Sequence, residues 1–170
     1  MVEPKVRTGL QVFHDYKNKI FEALVEGDTP LVRAIANSSE EFMDTPVENP
    51  AELLHTQIFP FKWAGMDILE KKQAYITMTF GVDRLDGGYF NSVFFTIYVI
   101  VHKDIMRIFH EDSYKIRTDF IAEEIEGLFH KSSDFGLGKL ELFDTGEIFV
   151  SKEFPGTYLS FRTVDQSRQK

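Results

Sequence analysis

Residues 74–101 read AYITMTFGVDRLDGGYFNSVFFTIYVIV, and this stretch decides the fold. Its first part alternates. Ile76, Met78, Phe80 and Val82 share one face, while Thr77 and Thr79 share the other. That is the two-residue period of a half-buried strand. The Asp86-Gly87-Gly88 turn tolerates the positive φ that a tight hairpin needs. The second part, SVFFTIYVIV, is apolar at both alternating sets of positions and reads as a central strand covered on both faces. Together they make an antiparallel hairpin. Its turn, with Arg84, Asp86, Tyr89 and Phe90, is either a plain connection or the tip of a projecting arm that pairs with another chain.

Working upstream, residues 8–26 have the spacing of an amphipathic helix. Leu10, Phe13, Lys17, Ile20, Phe21 and Leu24 fall near one stripe, with one polar interruption, and Gly27 is a natural stop. PLVRAIA (30–36) fits a strand or a short helix. Residues 37–56 carry three acidic clusters and two prolines, and read as a long loop with one helical turn near Ala51–Leu54. IFPFKWA is a short strand that Pro60 pushes to an edge or a bulge.

Downstream, Ile121, Ile125, Leu128 and Phe129 stack on one face of a helix over about 117–130. Asp119 sits at its positive end, and His130 and Lys131 close it with the matching sign. KLELFD, EIFVS and GTYLSFRTV read as three further strands. The expected class is α+β, in one domain over 1–170: a mostly antiparallel or mixed sheet of four to six strands, two main helices on it, and a projecting hairpin.

Composition narrows the function. The chain has no cysteine, which excludes disulfides, thiolate nucleophiles and cysteine-ligated metal sites. A net charge of −8 argues against duplex binding and against an anionic membrane surface, since both rest on Lys and Arg. There is no apolar run long enough to span a bilayer, and the first residues lack the apolar core of a signal peptide. The 17 Phe and 6 Tyr fill a core and are also the residue types that anchor interfaces.

No catalytic constellation emerges. FGLG precedes a strand rather than opening a helix, so its glycines are turn residues and not a phosphate cradle. The histidines show no ligand spacing. His102 and His110 with Asp104 and Asp112 are a weak metal candidate, and solvent-facing loop residues are the plainer reading. Asp119, Glu123 and Glu124 read as a solvated helix face. Arg117 is suited to a bidentate pair, with Asp112 or Asp119 of its own chain or with a carboxylate of a neighbour. The expectation is therefore a non-enzymatic protein with no cofactor and no metal. The competing class is a small cytosolic enzyme or ligand-binding domain, with a pocket lined by Phe94, Tyr98 and His102.

One further pattern runs through the second half: Val101-His102-Lys103-Asp104, then Ile116-Arg117-Thr118-Asp119 with Ile121 and Glu124-Ile125, then Phe135-Gly136-Leu137-Gly138-Lys139-Leu140, then Pro155-Gly156 and Phe161-Arg162-Thr163. Over roughly residues 57–165 it resembles the neck and tail-completion proteins of tailed bacteriophages of Gram-positive hosts. The resemblance implies a structural virion protein at the head–tail junction, made in the host cytoplasm. It implies a homo-oligomeric ring of the tail-terminator type, often six-fold, that caps the tail tube and meets the head connector; the alternative is a head-completion protein. Genomic DNA would pass an acidic lumen without specific binding. Arg84, Asp86, Tyr89, Phe90, Arg117 and Asp119 would lie at subunit or partner contacts.

Overall fold

A computed structural model describes residues 9–62, 71–84, 90–135 and 138–164. Two long strands, β2 (Ala74–Arg84) and β3 (Phe90–Val101), form the expected antiparallel hairpin, paired from Ala74↔Val101 to Arg84↔Phe90. Its tip falls outside the described residues. After β3 the chain leaves the sheet and returns as β6 (Lys139–Ser151) and β7 (Phe154–Val164). β7 pairs with β3, which becomes central, and β6 closes that side. On the other side lies the two-residue β1 (Ile58–Phe59), parallel to β2. The sheet order is β1-β2-β3-β7-β6, so the fold is α+β with a mixed five-stranded sheet.

Three helices supply the second layer. α1 (Gly9–Ala23) buries Tyr16, Ile20 and Phe21. The stripe is thus centred one residue before Lys17, and Leu10 lies exposed. α2 (Pro30–Ala36) settles the ambiguity of PLVRAIA. Pro30 stands in its first turn, where no amide partner is needed, and the Thr29 hydroxyl accepts from the Val32 amide. α3 (Arg117–Phe129) buries Phe120, Ile121, Ile125 and Phe129. All three helices share one core with Ile76, Met78, Phe95, Ile97, Val99, Leu159 and Phe161 of the sheet. Rings dominate its centre. Phe95 stacks on Phe80 and Phe161 and meets Phe129 edge-on at 5.6 Å.

Three expectations need correction. β3 is central, but the helices cover only one of its faces. On the other face a smaller cluster of Phe59, Tyr75, Ile100 and Phe154 covers one end, while Phe94 stays partly exposed. KLELFD and EIFVS are one strand rather than two: β6 runs through Thr145-Gly146, with register shifts near Phe143 and Val150. The segment between β3 and α3 is ordered into a second ribbon, β4 (Arg107–His110) with β5 (Ser113–Ile116). The loop over 37–56 holds two 3₁₀ turns, Phe42–Asp44 and Pro50–Leu53.

Candidate functional site

Arg117 is the most heavily engaged side chain between α2, α3 and the β4–β5 ribbon. It is fully buried, at 0 % exposure. Its guanidinium donates to four backbone carbonyls: Nε to Ile105 and Nη1 to Ala34, both at 2.8 Å, Nη1 also to Asn37, and Nη2 to Ser39. Ala34 and Asn37 lie at the C-terminal end of α2, where the helix leaves carbonyls without amide partners and carries partial negative charge. Burial pulls the Arg117 pKa down to about 10, so the group is still charged at neutral pH. The side chain therefore closes the helix end from within its own subunit. Among the described residues it pairs with neither Asp112 nor Asp119. Asp119 is exposed on the first turn of α3 and accepts from the neighbouring Thr118 hydroxyl at 3.4 Å.

Two other polar contacts fix the same region. The buried Gln57 amide donates to the Ile35 carbonyl at 2.7 Å and to the Ala74 carbonyl at 3.0 Å, joining α2 to β2. Arg33 forms a two-pronged pair with Asp28 and also reaches the Met43 carbonyl, while Asp28 accepts from the Val47 amide. The hydrogen bond from Arg33 holds the Asp28 carboxyl below the usual carboxylate range.

The hairpin residues proposed for contacts divide between two situations. Arg84 and Phe90 are cross-strand partners at the turn end of β2–β3, whereas Asp86 and Tyr89 lie outside the described residues. Arg117, buried within its own subunit, forms no surface patch with the exposed Asp119. Phe94, Tyr98 and His102 do not form one pocket either. Phe94 and His102 are separated by eight residues along a strand direction, about 27 Å at ~3.4 Å per residue. The Phe94 ring lies over Gly81, and His102 packs edge-on against Phe154 at 4.9 Å. His102 Nδ1 accepts from the Asp104 amide. Among the described residues no three His, Asp or Glu side chains gather as a metal site.

Sequence patterning missed two surfaces. One is the outer face of the β4–β5 ribbon. Its inner face is turned to the core through Ile108 and His110, which meets the Phe42 and Phe120 rings. The outer face carries Phe109, Ile116 and Tyr114, the last 63 % exposed, and the Arg107 guanidinium lies over the Tyr114 ring. The other is β6, beside whose outer edge no strand lies among the described residues, and whose Phe149 is 78 % exposed. Its carboxylates Glu141, Asp144 and Glu147 share that edge strand. Both surfaces combine large exposed apolar groups with charge.

The YomW family model matches residues 28–163, from just before α2 into β7. No curated protein matches the chain. No solved structure matches it either.

Proposed function

The chain belongs to the YomW family, a phage-derived family, and on that premise we propose that it is a structural virion protein of the head–tail junction. In this reading, copies form a ring that terminates the tail tube and joins it to the head connector. The observation that carries it is the presence of two separate, dissimilar exposed apolar surfaces on one small domain: the β4–β5 ribbon with Tyr114 and Ile116, and the β6 edge with Phe143 and Phe149. A head-to-tail ring requires two different surfaces per subunit, whereas a two-fold dimer needs only one. The net charge of −8 favours this role, because an acidic lumen repels the phosphate backbone and lets DNA slide. Arg117, Gln57 and the Asp28–Arg33 pair stiffen the subunit with polar ties, as suits a building block.

The test is capture of purified tail-tube protein and purified connector protein, in separate experiments, by the immobilised full chain. Retention of tube protein supports the terminator role. Retention of connector protein alone moves the protein to the head-completion position. Retention of neither, at any salt concentration that keeps all three soluble, removes the head–tail reading.

A further inference from the structure

The two edges of the main sheet differ in sign. β6 presents Glu141, Asp144 and Glu147. The β2 side is lined by Lys17, whose ammonium lies 5.3 Å from the Phe80 ring, and Lys62, whose ammonium lies 5.7 Å from the Tyr98 ring. The match also holds face by face. Glu147 pairs with Thr157, which pairs with the core residue Val99, so Glu147 is on the helix side of the sheet. Lys17, on α1, is on the helix side too. Asp144 pairs with Ser160, which pairs with Thr96, placing it on the helix-free side. Tyr98, the ring beneath Lys62, is on that same side, two residues along β3 from Thr96.

Both edges have room for a strand. Nothing flanks β6. β1 pairs with β2 only at Ile76 and Thr77, and among the described residues no strand flanks β2 from Met78 to Arg84. Strand direction fits as well. β2 and β7 run one way, and β3 and β6 the other. Rotation about an axis parallel to the strands preserves those directions. The β6 of one copy then meets the β2 of the next in antiparallel orientation, and the alternation continues unbroken across the junction.

We propose that the chain associates with a second copy of itself by strand addition, the acidic β6 edge of one subunit pairing with the basic β2 edge of the next. The contact rests on the ring reading above and takes the β2 edge, rather than the β4–β5 ribbon, as the surface that meets β6, which leaves the ribbon for the tube or connector. Backbone hydrogen bonds along the edges supply affinity, and the opposed carboxylates and ammonium groups on both faces set direction and exclude β6–β6 pairing. The exposed Phe149 is covered in the process.

The experiment uses two double variants of the full chain, Asp144→Lys with Glu147→Lys, and Lys17→Glu with Lys62→Glu. Circular dichroism confirms that each is folded, and native mass spectrometry reads the assembly state. Each variant alone is expected to be monomeric where the parent chain is oligomeric. An equimolar mixture is expected to recover the parent assembly, because every junction in it opposes unlike charges again. The inference is overturned if the Lys17→Glu, Lys62→Glu variant keeps the parent mass by itself, or if the folded variants fail to rescue each other. A parent chain that stays monomeric at every soluble concentration also overturns it, whereas the head–tail role is then decided separately by capture of tube or connector protein.

Discussion

The Arg117 guanidinium reaches the Ala34 carbonyl at 2.8 Å across 83 residues of sequence. That contact joins the start of α3 to the end of α2, and the same side chain holds Ile105, Asn37 and Ser39. Replacing it with an apolar chain leaves four carbonyls without this donor, and the contacts to those of Ile105 and Ala34 are buried. Arg117→Met is expected to cost about 3–5 kcal/mol, in the range found for breaking buried charged networks. Arg117→Lys also destabilises, because three donors on one nitrogen cannot span a planar fork of acceptors. Urea unfolding checks both, and a loss under about 1 kcal/mol for Arg117→Met contradicts the assignment.

Tyr16 makes the opposite case. Its hydroxyl is buried against the ring core and has no hydrogen-bond partner among the described residues, and burial raises its pKa. The oxygen loses hydration and gains nothing in exchange. Tyr16→Phe is therefore expected to be neutral or stabilising by up to about 1 kcal/mol, measured by the same unfolding curves.

Two glycines should respond with opposite sign. A Cβ at Gly156 would lie 2.3 Å from the Val99 carbonyl oxygen, a backbone atom in the central strand. Gly156→Ala must push β7 from β3 and is expected to cost about 1–3 kcal/mol. A Cβ at Gly127, inside α3, meets nothing within 4 Å. Gly127→Ala is expected to stabilise by about 0.5–1 kcal/mol through helix propensity. Melting temperatures that move in the same direction for both would refute this packing.

Acid should loosen the loop that Asp28 holds. The folded-state pKa of Asp28 lies below its unfolded value, chiefly through the Arg33 hydrogen bond. The folded state therefore binds fewer protons here, and the stabilisation is present above the unfolded pKa of about 4 and lost as pH falls through the folded one. The Val47 amide donates to Asp28 at 3.1 Å, so its hydrogen-exchange protection reports the change. Protection at Val47 is expected to fall below about pH 4 in the parent chain and to show no such step in Asp28→Asn. An unchanged profile between the two would break the link.

The β2–β3 hairpin and α3 were readable because their apolar periods extend over many residues, and long periodic runs overcome local ambiguity. The β4–β5 ribbon was not. Its strands have four residues each, and its turn places Glu111 and Asp112 at φ 50° and 58° without the glycine that usually marks such a turn. The sequence divides β6 at Thr145-Gly146, whereas the Tyr158 ring fills the space above Gly146 and the strand continues. Arg117 stood out as a charge, but its acceptors are main-chain carbonyls distant in sequence, and carbonyls leave no mark in residue type. The contrast between the two sheet edges was equally hidden, since Lys17 and Glu147 acquire their relation only once the strand order is known.

Head-to-tail assembly is tested by native mass spectrometry of the purified full chain across a concentration series. A discrete closed oligomer, six copies in the resemblance's usual form, growing at the expense of monomer as concentration rises, is the predicted result. A stable two-copy species with no larger form, which a single two-fold contact would produce, contradicts it.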